Sequence, residues 1–195
     1  ADLLNTNPND NYGDDAIVTL SPREHIRLRP GMYVGVVGDG SQPDEALYVL
    51  IKEVVDNSID EFIMGAGRQI DITLADNVVT VRDYGRGIPL KSLAAAVGQM
   101  NTGGKYGGDA FKKTVGLNGV GVKAVNMLSE EFTARSVRDG EARTVTFAKG
   151  LEVSDRWESG VNEKNGTFIS YRVDKEIFGE YALSLIHISE PTRPY

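Results

Sequence analysis

The sequence has no cysteine and only two histidines, His25 and His187. Without cysteine the chain can form neither a disulfide nor a thiolate metal site, which is compatible with a reducing compartment. Two histidines also argue against a histidine-based metal cluster and against a charge-relay triad. Disulfide scaffolds, thiolate sites and histidine-based sites are therefore set aside.

Long apolar runs and positive charge are also scarce. No apolar run is long enough to cross a membrane and no signal-peptide pattern opens the chain, so we expect a cytoplasmic protein without membrane contact. Lysine and arginine number 21 against 28 aspartates and glutamates, a formal net charge of −7. A domain with this net charge is a poor non-specific binder of nucleic acid. Any contact with DNA would therefore need a local basic patch or a part of the protein outside this sequence.

What is present is the composition of a soluble globular protein. The 195 residues are 41% hydrophobic and 25% charged, enough for one domain with a full core. Residues 1–15 are polar and without period, and they predict a mobile arm. The predicted domain covers 16–183. Residues 184–195 fit nothing before them and resemble translated vector sequence, so they are left out of fold reasoning.

One stretch, residues 47–63, organises the rest of the chain. Its apolar residues recur at intervals of three and four, which predicts a helix with one broad apolar face packed on the core. These residues are Leu47, Leu50, Ile51, Val54, Val55, Ile59 and Phe62.

Acidic and amide side chains follow the same predicted helix. Glu53, Asn57 and Glu61 stand four apart and form a polar row along the edge of the apolar face, while Asp56 and Asp60 lie further towards solvent. Two interpretations are open. The row could be an acidic helix face that is exposed to solvent. Alternatively, a carboxylate and an amide on adjacent helical turns could together hold a divalent cation and a water molecule.

The order of the other predicted elements indicates an α+β fold. A capped helix begins at Ser21-Pro22, and two alternating stretches, 69–74 and 78–82, form a hairpin. Further predicted helices cover 90–100 and 120–128, and predicted strands cover 132–138, 142–147 and 167–173. We therefore predict a two-layer sandwich of helices on one mostly antiparallel sheet.

Glycines open the helix predicted at 120–128. The segment 116–121 (GLNGVG) would leave backbone N–H groups free at a helix start, an anion site suited to phosphates, and Lys105 on a glycine-rich flap could add a cation. A plain glycine turn is the alternative. A P-loop fails because Val122, not lysine, follows the last glycine. A dinucleotide fingerprint is matched by 119–124, but no strand precedes it.

A second constellation begins where the predicted hairpin ends. Asp83 there could accept a hydrogen bond from an exocyclic amine, and Gly87 would let a flat ring approach the backbone. Taken alone, an aspartate followed by two nearby glycines is usually just a tight turn. Combined with the glycine segment, the helix suits Mg-ATP. Asn57 would ligate Mg²⁺ through its amide oxygen, and Glu53 would orient and deprotonate the attacking water.

These motifs resemble the GHKL ATPases, the group of gyrase, Hsp90, histidine kinases and MutL. The three boxes of that group are matched by 53–57 (EVVDN), 83–87 (DYGRG) and 116–121. Within the group the sequence resembles the ATPase domain of bacterial type IIA topoisomerase B subunits over about Tyr12 to Tyr181. The sequences of its motifs are more similar to those of topoisomerase IV than to those of gyrase. The motifs that carry this likeness are 29–35 (RPGMYVG), 54–61 (VVDNSIDE), 85–89 (GRGIP), 102–105 (TGGK) and 119–126 (GVGVKAVN).

The resemblance implies a role for each matching position. Glu53 would be the general base, Asn57 the magnesium ligand and Asp83 the adenine reader, with Thr167 sharing a water near it. An outer pocket for aminocoumarin inhibitors would be lined by Arg86, Pro89 and Arg138. Further nucleotide contacts would come from Tyr12, Gly87, Ile88, Lys105, Gly116, Leu117, Asn118, Gly119, Val120, Gly121 and Val122.

The resemblance also implies partners. Tyr12, on the arm, would reach the nucleotide of a second copy of the chain when ATP drives homodimerisation. A topoisomerase A subunit and DNA would be contacted through regions outside this chain. We expect the last helix and strand of the domain to be missing beyond about Leu183, so the isolated fragment should bind ATP weakly and hydrolyse it poorly.

The match departs from the family at two positions, and alternatives remain. Asn118 stands where many members have histidine and Phe111 where many have a flap tyrosine, which puts one hydroxyl contact in doubt. The alternatives are another GHKL ATPase, of chaperone or histidine-kinase type, and a nucleotide-binding module that does not catalyse. A Rossmann oxidoreductase is a distant third.

Overall fold

A computed structural model describes residues 20–99 and 121–185 of the chain. The described helices are α1 (Pro22–Leu28), α2 (Gly31–Val34), α3 (Ala46–Ile63), α4 (Leu93–Gly98), α5 (Gly121–Met127) and α6 (Lys175–Phe178), with a 3-10 turn at Leu90–Ser92. The described strands are β1 (Ile70–Ala75), β2 (Val78–Asp83), β3 (Ser129–Arg138), β4 (Glu141–Ala148), β5 (Leu151–Ser159) and β6 (Gly166–Val173). None of the helices in these two ranges is long and apolar enough to span a membrane.

The six strands form one antiparallel sheet in the order β1-β2-β6-β3-β4-β5. The helices pack on it, and α3 contacts both α5 and β2. The predicted α+β architecture is therefore confirmed. The sheet order matters for the site, because it places the end of β2 beside the start of β6, whose other neighbour is β3.

Local sequence sets the start of α1 as predicted. Ser21 caps the helix, its hydroxyl accepting from the backbone N–H of Glu24 while the Glu24 carboxylate accepts from the backbone N–H of Ser21. The turn of the β1–β2 hairpin is also as predicted. Asp76 and Asn77 both have positive φ, 51° and 61°, which matches the twist of the flanking strands and suits short polar side chains.

Strand β5 was not predicted. Its apolar residues Leu151, Val153 and Trp157 fall on alternate positions, a strand signal that sequence reasoning missed. Eight of its nine residues are exposed. It exists because it pairs with β4 along its length, with a register shift beside Phe147.

Helix α3 is confirmed, but its predicted apolar face is only partly buried. Leu47, Leu50 and Val54 lie in the core with at most 1% of their surface exposed, whereas Ile59 and Phe62 are 38% and 50% exposed. The prediction that the whole apolar face of α3 packs on the core was therefore wrong for the last turns of the helix. The first turns lie among the core side chains, and the described residues leave those of the last turns open to solvent.

Candidate functional site

A cavity of about 440 Å³ lies between α3, the end of β2 and the segment that follows it. It brings together Asn57, Asp83 and Thr167, which come from α3, β2 and β6. The remaining lining residues are Val54, Ser58, Asp60, Glu61, Arg86, Gly87, Ile88, Pro89, Ala96, Val97, Val122, Arg138 and Ile169. Both its size and its mixed apolar and polar lining are typical of small-molecule sites.

Asp83 is the buried polar group of this cavity, with 5% of its surface exposed. Its Oδ1 accepts hydrogen bonds from the backbone N–H groups of Gly85 (3.0 Å) and Thr167 (3.1 Å), and its Oδ2 accepts one from the Ser58 hydroxyl (3.2 Å). A carboxylate offers about four lone-pair sites. Three are used here, so Oδ2 keeps one for a donor on a ligand.

The wall beside Asp83 is the main chain of Ile88. Its N–H donates to the Thr167 hydroxyl (3.2 Å), and its carbonyl accepts from the Ser136 hydroxyl (2.6 Å). Gly87 precedes it with φ +78°, and a Cβ there would lie 2.7 Å from the carbonyl oxygen of Val137. Glycine is therefore needed so that this wall can lie against β3.

The mouth of the cavity carries an ion pair. Arg86 donates to Glu61 from Nη2 (2.7 Å), from Nε (3.2 Å) and from its backbone N–H (3.0 Å). These hydrogen bonds hold the pKa of the Glu61 carboxyl below its ordinary value. Arg138 and Pro89 line the same side of the cavity. All three residues predicted for an outer inhibitor pocket therefore lie at one cavity.

Glu53 is not among the residues that line the cavity; it lies where α3 meets α5, beside Gly121, which precedes the lining residue Val122. The two helices approach so closely there that a Cβ on Gly121 would lie 1.9 Å from Glu53 Oε2. Burial raises the pKa of the Glu53 carboxyl, Asp56 raises it further and Lys52 lowers it. Within the described residues no hydrogen bond holds this carboxylate. A half-buried, unbonded carboxylate with a raised pKa is a candidate general base.

Asn57 follows Glu53 by one turn and is exposed at the cavity. In the two described ranges, no three histidine, cysteine or acidic side chains are grouped closely enough to hold a metal ion. Asn57 and Glu53 offer an amide and a carboxylate oxygen on successive turns of α3. Such a sparse set suits a cation such as Mg²⁺, which binds through few protein groups and shares the oxygens of substrate phosphates.

Several predicted positions lie outside the described residues. They are Tyr12, Lys105, Phe111, Gly116, Leu117, Asn118, Gly119 and Val120. Gly121 and Val122 are described, and Val122 lines the cavity.

Sequence reasoning missed two hydroxyl groups of the site. Ser58 is buried and follows Val54 by four residues, so it falls on the buried stripe of α3. A polar residue at a core position of a helix was a signal that could have identified it. Ser136 on β3 carried no such signal, because only the fold brings it to Ile88. Asp60, predicted towards solvent, is exposed and also reaches the rim of the cavity.

The fold, helices on one antiparallel sheet with a buried aspartate in a cavity between them, is the one expected for an ATPase of the GHKL class. The family model for histidine kinase-, DNA gyrase B- and HSP90-like ATPases matches residues 43–175. The chain therefore belongs to this family, and an ATPase domain binds ATP.

Comparison with individual proteins identifies members of this family that the chain closely resembles. The B subunit of DNA topoisomerase 4 from Borreliella burgdorferi is 52% identical over 174 residues, covering 89% of this chain and 29% of that protein. The B subunit of DNA gyrase from Staphylococcus epidermidis is 37% identical over 187 residues, covering 91% and 28%. The chain thus spans less than a third of either relative. The resemblance to type IIA topoisomerase B subunits is confirmed, and the chaperone and histidine-kinase alternatives are not favoured.

A solved structure gives the same result. The crystal structure of the 43K ATPase domain of Thermus thermophilus gyrase B in complex with an aminocoumarin aligns with a TM-score of 0.70 and 28% identity. The alignment covers 85% of this chain and 43% of that one. The predicted fold is confirmed at this level.

Proposed function

We propose that this chain binds and hydrolyses ATP as the ATPase domain of a type IIA topoisomerase B subunit, of topoisomerase IV rather than gyrase type. One observation carries the proposal. Asp83 is buried in a cavity, where the described residues leave one of its acceptor positions open, and Glu53 lies beside Gly121, which precedes the lining residue Val122, without a hydrogen bond from the described residues. The greater identity to the topoisomerase 4 relative than to the gyrase relative supports the subtype.

Adenine recognition would rest on Asp83 and Thr167. The open lone pair of Asp83 Oδ2 would accept from the exocyclic amine. The Thr167 hydroxyl already accepts from the Ile88 N–H, and its own proton is available to a bridging water or to a ring nitrogen. Ile88, Pro89 and Val97 line the apolar part of the cavity, which suits a flat purine ring.

Hydrolysis would be carried by Glu53. Its carboxylate would orient a water and accept its proton as the water attacks the γ-phosphorus, while the leaving ADP takes the bridging oxygen. Asn57 would hold Mg²⁺ through its amide oxygen; when bound, the ion neutralises charge on the phosphates. Backbone N–H groups of the glycine segment 116–121 and the Lys105 ammonium would bind the phosphates from the other side.

In the whole protein, ATP binding would be coupled to DNA strand passage. Tyr12 on the arm would contact the nucleotide of a second copy of this protein, so that ATP drives homodimerisation. A topoisomerase A subunit and the DNA would be bound by further regions, and the protein would act in the cytoplasm. Arg86, Pro89 and Arg138 would form the contact for aminocoumarins, the class of compound present in the solved gyrase B relative.

The test compares Glu53→Gln and Asp83→Asn in the full-length protein. Glu53→Gln removes the base and keeps the side-chain shape, so we expect kcat to fall about 10²- to 10⁴-fold with nucleotide affinity nearly unchanged. Asp83→Asn places an amide where Oδ1 and Oδ2 accept three hydrogen bonds, so nucleotide affinity should fall. Glu180→Gln, on an exposed residue far along the chain, is the control.

Unchanged turnover in Glu53→Gln would favour a nucleotide-binding module that does not catalyse. Unchanged ATP affinity in Asp83→Asn would refute the proposed adenine site. The subtype has its own test, since a topoisomerase IV should decatenate linked DNA circles and a gyrase should introduce negative supercoils. ATP-dependent supercoiling by the holoenzyme would contradict the topoisomerase IV assignment.

A further inference from the structure

A buried arginine outside the cavity is bonded to the wall of the site. Arg143 lies on β4, and its side chain is only 11% exposed. Its Nε and Nη2 donate to the two carboxylate oxygens of Asp155 on β5 (2.9 and 2.8 Å). Its Nη1 donates to the carbonyl oxygens of Leu90 (2.7 Å) and Lys91 (3.3 Å). The guanidinium also stacks on the Trp157 ring, 4.7 Å from the centroid.

The two carbonyls belong to the continuation of the cavity wall. Ile88 and Pro89 line the cavity, and Leu90 and Lys91 follow them directly. Ile88 is already bonded to Thr167 of β6 and Ser136 of β3. The segment 88–91 is therefore attached by side chains to three strands that are neighbours in the sheet.

We propose that Arg143 is a positioning residue for the nucleotide site, holding the segment 88–91 at the distance that the base requires. The proposal rests on the proposed function, since it concerns the same cavity. Arg143 contacts no lining atom of the base pocket itself and acts through the main chain of residues 90 and 91.

Only arginine has the donors for this role. The planar fork uses one edge, Nε and Nη2, for a two-point contact with Asp155 and keeps Nη1 for the carbonyls. Asp155 fixes the plane of the guanidinium, so that Nη1 has one direction. A lysine ammonium could bond the carboxylate or the carbonyls from a single nitrogen and could not fix the direction.

The competing explanation is that Arg143 only stabilises the sheet. Arg135 on β3 provides the matched control. Its side chain is 17% exposed and pairs with Glu158 and Glu163. It neighbours Ser136 in the strand and therefore points to the opposite face of the sheet, away from segment 88–91. Loss of Arg135 should cost stability through the same kind of ion pair and leave the wall in place.

The experiment measures nucleotide Kd, KM, kcat and the thermal midpoint of the full-length protein. For Arg143→Ala we expect Kd and KM for ATP to rise roughly tenfold, as for loss of a residue that orients a binding group, while kcat at saturating ATP changes less than about twofold. Arg143→Lys should recover little of the lost affinity. Arg135→Ala should lower the thermal midpoint similarly and leave Kd within about twofold.

Two results would overturn the proposal: equal Kd for Arg143→Ala and Arg135→Ala, or full affinity in Arg143→Lys. Should Arg143→Ala fail to fold, Asp155→Asn decides, because it keeps the arginine and removes its orienting charge. A rise of about threefold in Kd would support the proposal, and an unchanged Kd would refute it. Asp83→Asn is run in the same assay, and only its failure to weaken binding would point to an error in the nucleotide site as a whole.

Discussion

The candidate site has two ends, the cavity at Asp83 and the α3–α5 contact at Glu53, and they are built in opposite ways. At the Asp83 end, the carboxylate is buried and receives three hydrogen bonds from Ser58, Gly85 and Thr167. At the Glu53 end, the described residues give the carboxylate no hydrogen bond, and burial raises its pKa. The first arrangement fixes a side chain for recognition before a ligand arrives. The second leaves an oxygen free to take a proton.

The difference follows from the elements that form each end. Asp83 terminates a strand inside the sheet, where neighbouring backbone N–H groups are rigidly placed and cost no reorganisation on binding. Glu53 lies between two helices that touch at Gly121. The position of that carboxylate depends on the space that a glycine leaves. A change of side-chain volume should therefore damage the Glu53 end most, and a change of hydrogen bonding should damage the Asp83 end.

Among changes that leave both carboxylates in place, the largest effect is expected for Gly121→Ala. The new Cβ would lie 1.9 Å from Glu53 Oε2 and 2.6 Å from its Cδ. These atoms belong to the end of a flexible side chain, so the carboxylate should move and the helices should stay. A misplaced catalytic group of this kind costs about 10²-fold, so we expect kcat to fall by about that factor with little change in the thermal midpoint.

Gly31→Ala serves as the control for that variant. Gly31 also begins a helix, has no atom within 4 Å of the added Cβ and no positive φ. Its kcat should equal that of the unmodified protein. If Gly121→Ala kept its turnover within about threefold, Glu53 could act from a displaced position and the proposed reason for the glycine would be wrong.

Ser58→Ala should have a smaller effect, confined to the recognition end. It removes the one hydrogen bond that the described residues donate to Asp83 Oδ2. A buried hydrogen bond contributes about 0.5–1.5 kcal/mol, so nucleotide Kd should rise between about twofold and tenfold while kcat stays the same. Isothermal calorimetry with a non-hydrolysable ATP analogue measures the first quantity.

Ser170→Ala is the matched control, since Ser170 lies on β6 three residues after Thr167 and faces away from the cavity. A fall of kcat in Ser58→Ala, without a change of Kd, would mean that Ser58 acts on the reactive end instead.

The features that could be predicted from the sequence are those determined by residues close together in the chain. The cap of α1 depends on Ser21 and Glu24, and the β1–β2 turn on Asp76 and Asn77, all within a few residues of one another. The site residues Glu53, Asn57 and Asp83 were predicted from the spacing and chemistry of their side chains and from motifs that resemble those of a family. Asn57 and Asp83 line one cavity and Glu53 lies beside Gly121, an arrangement that does not test their roles.

Contacts between residues that are distant in the chain could not be predicted from the sequence. Strand β5 has a short alternating pattern at Leu151, Val153 and Trp157, but its place in the sheet depends on pairing with β4. The contact of Gly121 with Glu53 joins two helices, and Ser136 meets Ile88 only because β3 lies next to β6. Glycine at position 121 was read as a phosphate-binding feature; its close approach to a carboxylate could be seen only in the structure.

The smallest predicted effect concerns the pH dependence at the Glu53 end. A general base works in its deprotonated form, so its raised pKa places the acidic limb of kcat/KM above the ordinary carboxyl value of 4.5. Asp56 raises this pKa and Lys52 lowers it. Asp56→Asn should therefore move the limb to lower pH, and Lys52→Ala should move it to higher pH.

Both shifts should be small, because the two side chains form an exposed pair, 60% and 45% accessible, that salt screens. Raising the ionic strength should reduce both shifts. Shifts in the same direction, or of equal size at high salt, would mean that the limb reports another group. In that case the contrast between a fixed recognition carboxylate and a free reactive one would rest on geometry without the titration to support it.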